Sequence, residues 1–374
     1  MNVGIVGCGI LGLATALELR ARGHAVTIFE QGQVPNERAS STDTSKTIRR
    51  LYGNNATYVE LVERAAPKWR QWHERLGRDF YFPIGQIQIE AHFAPGNRIH
   101  DSFHFFARRA GEVRLLSVSE ARERYPQFSY RDSDTIVYDP WAGYLASGQA
   151  VAKLAQLARA EGISLHAETP VREIQERALG VELVTAGGAT SFDRVVVAAG
   201  VWLTRLIPSI GRHLRPTFQQ MAFFEPPDPT RFAPGPMPVW AVNVEDEGWY
   251  GHPLRREGWV KVANDLLGEV VDPDVERKAT AAFLESAREF VARRIPGLAK
   301  GRLVGSRACL YENTPDRDFV IDRAPGSQRI VVAGGGSGHG FKFGGSIGEV
   351  IADAVEDKHN PLGDAFRIGQ RFGK

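Results

Sequence analysis

The sequence predicts an α/β fold, α+β overall, in which a parallel-sheet domain of the nucleotide-binding kind is interleaved with an antiparallel-sheet domain. Three observations predict it. Residues 3–30 read as strand, glycine turn, helix, strand. Residues 329–355, RIVVAGGGSGHGFKFGGSIGEVIADAV, repeat the order strand, glycine loop, helix. Between them, residues 214–263 are rich in strand-forming stretches, aromatics and prolines, as in FQQMAFFEPPDP and WYGHPLRREGWVKV.

Each element has a local reason. Val3–Gly7 is a short apolar strand, and Leu11–Arg22 a helix that Gly23 is placed to end. Ala25–Glu30 is a second apolar strand, so a right-handed βαβ unit opens the chain. Residues 57–76 carry Val59, Leu61, Val62, Ala66 and Trp69 at helical spacing. YFPIGQIQIE (81–90) alternates as a strand does. A helix over 147–161 leads to strands near 163–166, 171–176, 181–186 and 193–198, the last ending in a small-residue turn. A long helix is expected over 272–294.

Composition narrows the function classes. The 374 residues suffice for one large α/β domain or two interleaved ones. The formal net charge is +2, and no basic block points to nucleic acid or a membrane surface. Two cysteines allow at most one disulfide, compatible with a reducing cytosol, so a cytoplasmic location is expected. The apolar stretch VGIVGCGILGLATALEL follows no basic residues, and its glycines suit a nucleotide turn better than a secretory signal. No apolar run reaches the roughly 18–20 residues that span a bilayer. The final RFGK is not a peroxisomal address of the Ser-Lys-Leu type. No metal-ligand spacing and no Ser/His/Asp arrangement stands out.

GCGILG sets Gly7, Gly9 and Gly12 in G-x-G-x-x-G spacing. Gly7 permits a tight turn, Gly9 lets backbone approach a pyrophosphate, and Gly12 lets helix pack on strand. The helix N-terminus offers free N–H groups and a positive dipole to phosphate. Glu30 ends the second strand, where an acid takes ribose hydroxyls and disfavours a 2′-phosphate. The motif implies a dinucleotide without choosing NAD or FAD. The second loop, GGGSGHGFKF (334–343), favours FAD, because a plain NAD domain needs no such loop so far downstream. A tight turn that binds nothing is the plain alternative for either loop.

Taken together, GCGILG, STDTSKTIRRLYG, the GYL of 143–145, VVVAAGVW, YGHP followed by WVKV, ACLYENTPDRDFVID and GSGHGFKF resemble the amine-oxidising flavoproteins of the D-amino acid oxidase superfamily. Within it the likeness is to the monomeric sarcosine oxidase group, and it covers nearly the whole chain. The resemblance implies a Rossmann-type FAD-binding domain (1–80, 147–212 and 302–374) interleaved with an antiparallel-sheet substrate domain (81–146 and 213–301). It implies a cofactor site formed by Gly7, Gly9, Ile10, Leu11, Gly12, Glu30, Gln31, Ser40, Ser41, Lys46, Val171, Ala199, Gly200, Trp202, Cys309, Gly336, Gly338, His339, Gly340, Phe341 and Lys342.

The same likeness implies chemistry. Cys309 matches the cysteine that forms a thioether to the flavin 8α-methyl carbon, and nearby cations such as Arg307 would favour its thiolate. Cys8, in the tight loop, reads as a packing residue. Arg49 and Lys342 match a carboxylate clamp, in which a guanidinium grips two oxygens and an ammonium adds a point charge. A lysine at a helix start is otherwise badly placed, since the dipole there is positive. Arg50 reads as a solvated or helix-facing charge. Lys261 matches the lysine that activates oxygen, and Tyr250, at matching spacing, a tyrosine that contacts substrate. Two residues depart from the pattern. Lys46 stands in place of an arginine near the flavin, and Asp265 in place of a histidine in the substrate pocket. A carboxylate there suits a cationic or hydroxylated substrate group. His339 serves the loop or the flavin, with no acid–base role.

The implied activity is FAD-dependent oxidation of the C–N bond of an amino acid, a secondary or N-methyl amine, by hydride transfer to flavin N5. Imine and H2O2 are the products, and O2 is the acceptor. L or achiral substrates and a monomer or small homo-oligomer are expected. One alternative is a dehydrogenase that passes electrons to a quinone or carrier. Another is a non-catalytic flavin-binding subunit of a larger complex.

Overall fold

A computed structural model describes residues 1–109, 112–369 and 371–372. The chain opens with β1 (Asn2–Val6), α1 (Ile10–Ala21) and β2 (Ala25–Phe29). It continues through β3 (Lys46–Ile48), α2 (Ala56–Arg75), β4 (Tyr81–Phe82), β5 (Gln86–Glu90), α3 (Arg98–Arg108), β6 (Arg114–Leu116), β7 (Thr135–Asp139) and β8 (Gly143–Leu145). After α4 (Ser147–Ala160) come β9 (Ser164–His166), β10 (Glu173–Arg177), β11 (Gly180–Thr185), β12 (Gly188–Phe192) and β13 (Arg194–Val197). The long strand β14 (Arg215–Glu225) leads to β15 (Val239–Val242), β16 (Trp249–His252), β17 (Val260–Asn264) and α5 (Ala281–Arg294). Towards the end follow β18 (Arg302–Asn313), β19 (Val320–Arg323), β20 (Ile330–Gly334) and α6 (Gly344–Val355).

Among the described residues these strands form four sheets, of which the two larger position the site. The first has six strands in the order β19-β20-β13-β1-β2-β9. It is parallel except for β19, which runs antiparallel to β20. Its strands come from the start, middle and end of the chain, as the three glycine-bounded segments predicted. Helices α1 and α6 cross tightly over it: a Cβ on Gly348 would lie 2.5 Å from the Ala14 carbonyl oxygen. The second sheet has eight strands in the order β18-β14-β17-β16-β15-β5-β7-β6. It is antiparallel, as expected, except where β5 and β15 run parallel. Residues 302–313, grouped by the sequence with the nucleotide fold, form β18 and pair with β14 along its length.

The register of the second sheet sorts its residues by face. Successive strand residues point to opposite sides. One side carries Ile87, Ile89, Trp240, Val260, Val262, Ala222 and Phe224, which form one hydrocarbon cluster with α5. Phe290 of α5 stacks on Trp249 at 4.6 Å and on Trp240 at 5.7 Å. The other side carries Cys309, Tyr311, Met221, Lys261, Ala263, Tyr250, His252, Ala241, Gln88 and Gln86. Nearly every chemistry-bearing residue of this sheet lies on that second side.

Three local expectations are corrected. The helix expected over 272–294 starts only at Ala281. Asp272 instead accepts the Asp274 N–H at 2.7 Å and pairs with Arg205, ahead of Pro273, while Thr280 caps the true N-terminus by accepting from Phe283 N–H. The alternating run 81–90 is two strands, broken at Pro83–Gly85. Arg50 is not solvated. It is buried against Phe106 and Trp141 and pairs with the fully buried Asp139 at 3.1 Å. Among the described residues no helix is long and apolar enough to cross a membrane, and no cluster of side chains could hold a metal ion.

Candidate active site

The first glycine turn is shaped by contacts that exclude a side chain. Gly7 has φ of +106°, and a Cβ there would lie 2.4 Å from the Ala198 carbonyl oxygen of the neighbouring strand end. A Cβ on Gly12 would lie 2.0 Å from the Gly7 carbonyl oxygen. Gly9, the N-cap of α1, has no side chain to satisfy the first-turn N–H groups, of which Ile10 N–H donates to Ser41 Oγ at 3.0 Å. Glu30 is buried and holds the turn, accepting from Cys8 N–H at 2.8 Å, Gly32 N–H at 3.1 Å and Asn36 Nδ2 at 2.8 Å. Gly12→Ala is therefore expected to purify without bound flavin and with a lowered melting temperature. Overpacking of this kind costs about 1–3 kcal/mol or more. Absorbance at 450 nm and a thermal melt read both, and a yellow, wild-type-stable variant would refute the packing argument.

A cleft of about 1130 Å³, partly open to solvent, runs along the ends of β1, β2 and β13. It is lined by every sequence-predicted cofactor residue except Gly12, Cys309, His339 and Lys342. Gly12 lies behind the turn. The second glycine loop meets the first across this cleft, with Gly336, Gly338, Gly340 and Phe341 on its wall. The cleft fits a dinucleotide. It joins two glycine turns to an acid at a strand end, and its wall holds an unpartnered buried oxygen, Glu312 Oε1. Burial pushes the Glu312 carboxyl up to about 8, so at neutral pH it is largely protonated and able to donate.

A second cavity of about 610 Å³ abuts the first, and Lys46, Tyr311, Gly338 and Phe341 line both. Arg49, Lys342, Tyr250, Asp265 and His339 all line the second cavity, so the structure brings these predicted residues together. Both cations adjoin Tyr52: the Arg49 guanidinium lies 4.5 Å from its ring centroid, and Lys342 Nζ lies 5.6 Å from the centroid at the hydroxyl edge. Arg49 Nη1 donates to the Leu51 carbonyl at 2.5 Å. Lys342 Nζ donates to Tyr52 OH at 3.0 Å and to the His339 carbonyl at 2.6 Å. Burial and the nearby Arg49 pull the Lys342 ammonium well below its usual range. Asp265 lies 3.8 Å from Arg317 Nη2. Tyr250 OH and Tyr311 OH lie 3.5 Å apart, and burial keeps both phenols protonated.

Lys261 and Cys309 line neither cavity, although the sheet register sets them on the same face as Tyr250 and Tyr311. Lys261 is fully buried, with Nζ 2.5 Å from Asp43 Oδ2 and 2.9 Å from the Ser45 carbonyl. Lys46 Nζ reaches the same Asp43 oxygen at 3.2 Å. Burial would raise the Asp43 carboxyl, yet the two ammonium groups hold it well below the usual range. One carboxylate thus serves two lysines, leaving one positive charge in excess. Burial pushes the Cys309 thiol up, and the first cation to oppose this is Lys46, not Arg307. Arg307 is engaged elsewhere, donating to the Glu37 carbonyl at 2.6 Å.

Sequence reasoning missed Asp43, His252, Tyr52 and the polar side of β5. His252 is buried between Ser45 Oγ at 2.6 Å and Thr47 Oγ1 at 2.9 Å, and burial with the Lys261 charge keeps it neutral. The quoted STDTSK and YGHP stretches contain Asp43 and His252, but nothing in either string pairs them with residues some 200 positions away.

A family model described as DAO, FAD dependent oxidoreductase, matches residues 2–354. Among curated proteins, N-methyl-L-tryptophan oxidase of Yersinia pestis (strain Pestoides F) is 29% identical over 367 residues, covering 96% of this chain and 95% of that protein. Glycine oxidase from Geobacillus kaustophilus superposes with a TM-score of 0.85 at 22% identity, covering 99% of both chains. NikD, described as an unusual amino acid oxidase essential for nikkomycin biosynthesis, superposes at 0.82 with 22% identity, covering 96% of this chain and 94% of that one. These two likenesses are of fold.

Proposed function

The chain belongs to the DAO family of FAD dependent oxidoreductases, and on that basis we propose that it oxidises the C–N bond of a secondary or N-methyl amino acid with O2 as acceptor. The supporting observation is the junction of the two cavities. The cleft that suits FAD and the cavity that holds Arg49 and Lys342 share the wall of Lys46, Tyr311, Gly338 and Phe341. A substrate gripped by its carboxylate is thereby set against the cofactor, which is the positioning such a reaction needs.

FAD held in that cleft would supply a two-electron oxidant for the substrate and a route for those electrons to O2, the CH–NH unit becoming C=N, O2 becoming H2O2, and water splitting the imine to carbonyl and amine. The chain's own residues bind and charge the site. Arg49 grips the carboxylate through two N–H groups, and Lys342, whose burial disfavours its charge, gains a counter-ion when that carboxylate arrives. Tyr250 and Tyr311, held protonated, donate hydrogen bonds rather than remove protons. The excess positive charge of Lys46 and Lys261 over Asp43 favours negative charge developing on oxygen, and a buried setting transmits it efficiently.

Covalent attachment through Cys309 is part of the proposal. Burial raises the thiol, and Lys46, which lines the cofactor cleft, is the first cation to offset that rise toward the thiolate. Acid-denatured holoprotein is expected to exceed the chain mass by one FAD less the hydrogens lost on linkage, and Cys309→Ala to release its flavin into the supernatant. A bare-chain mass from the yellow wild-type protein would remove the tether. The reading as a whole is tested by anaerobic flavin bleaching and peroxide assay with sarcosine and a panel of N-methyl amino acids. Bleaching without peroxide would point to a dehydrogenase, and no bleaching by any of them would overturn the substrate class.

A further inference from the structure

The strand β5, QIQIE, alternates in a way the proposed reaction does not require. Ile87 and Ile89 face the hydrocarbon cluster under α5. Gln86, Gln88 and Glu90 face the other way and are about as deeply buried as those isoleucines, at 2%, 1% and 2% exposure. Gln86 and Gln88 line the cavity that holds Arg49 and Lys342. Among the described residues the buried Oε1 atoms of Gln86, Gln88 and Glu90 have no hydrogen-bond partner. Buried polar groups are normally satisfied, and a leucine or valine on this strand would fold without that penalty. Two neighbouring amides with unpaired oxygens on a cavity wall call for a ligand that can hydrogen-bond to them.

The rest of the cavity narrows what that ligand carries. Arg98, from α3, lines it and donates Nη1 to the Leu51 carbonyl at 3.2 Å, the same oxygen that Arg49 uses. Burial and then the neighbouring Arg49 pull the Arg98 guanidinium down to about 10, while Glu245, 3.7 Å from its Nε, and Asp265 oppose them. Asp265 adds an acceptor. An alkyl group would leave both amides unpaired, and an indole, with a single N–H donor and no acceptor, would pair at most one of them. An ammonium would meet Arg98, and a second carboxylate would meet Asp265. A hydroxyl both donates and accepts, so it pairs with an amide in either orientation, with a guanidinium and with a carboxylate.

We propose that the cavity selects amino acids whose portion beyond the carboxylate is hydroxylated, with Gln86, Gln88 and Arg98 taking up the hydroxyl groups. This rests on the carboxylate-clamp reading above and assigns its distal specificity. The test compares two unreactive six-carbon carboxylates, gluconate and hexanoate, by their perturbation of the flavin spectrum in the holoenzyme. Wild-type protein is expected to bind gluconate at least tenfold more tightly than hexanoate. In Gln86→Leu/Gln88→Leu that ratio is expected to fall below threefold. Should the double variant not fold, Gln86→Met and Gln88→Met singly are expected to narrow the ratio. Hexanoate binding as tightly as gluconate, or an unchanged ratio in a folded variant, would overturn the proposal. A gluconate preference in a protein that no secondary amino acid can bleach would instead sink the reaction reading alone.

Discussion

Lys261→Met is expected to slow reoxidation of the substrate-reduced protein by O2 about 10²–10³-fold, the usual loss when one preorganised charge-stabilising group is removed. Substrate-driven bleaching is expected to change far less. Lys261 and Lys46 share the single carboxylate of Asp43. Removing Lys261 leaves one lysine against one aspartate, and the positive excess vanishes. Lys261 does not line the cavity that holds Arg49 and Lys342, so that cavity's lining is unchanged. Stopped-flow mixing of the reduced protein with oxygenated buffer, beside anaerobic reduction, separates the two halves. If both rates fall equally, Lys261 is a structural tie between β17 and residues 43–45. If neither falls, the oxygen role belongs elsewhere.

Arg49→Met is expected to lower kcat/KM by about 10²–10³-fold, equivalent to roughly 3–4 kcal/mol, within the range for truncating one partner of a buried charge pair. Arg49→Lys keeps the charge but loses the planar fork and should recover part of that loss. The loss should be confined to substrates that bear a carboxylate, so the ratio of sarcosine to dimethylamine turnover reads the clamp directly. Equal losses on both amines would mean that Arg49 shapes the cavity rather than grips the substrate. The neighbouring Arg50 shows how closely two roles can adjoin. Its guanidinium points into the core against Asp139 and belongs to the fold.

The contrast between these arginines also marks what a sequence can disclose. The turns at 7–12 and 334–343 were legible because their demands on glycine are local: a positive φ at Gly7, a backbone contact at Gly12. The faces of the amphipathic helix α2 were legible for the same reason. Arg50 was misread because its partner Asp139 is far along the chain, and no pattern joins them. Asp43 was missed because its meaning depends on Lys261, brought beside it only when the second sheet packs on the 40–48 segment. The alternation of β5 was visible, but both its faces are buried, so alternation alone did not reveal which side met a cavity. The expected helix start at 272 failed on a cap, since Thr280 outcompetes the segment that Pro273 had already broken.

The two glycine turns at the flavin cleft, residues 7–12 and 334–341, lie more than 300 residues apart in the order of synthesis. During synthesis, at roughly 5–20 residues per second, the first turn leaves the ribosome long before the second exists. A nascent or prematurely stopped chain lacks the wall that Gly336, Gly338, Gly340 and Phe341 provide. A chain stopped before its second glycine loop is thus expected to hold no flavin.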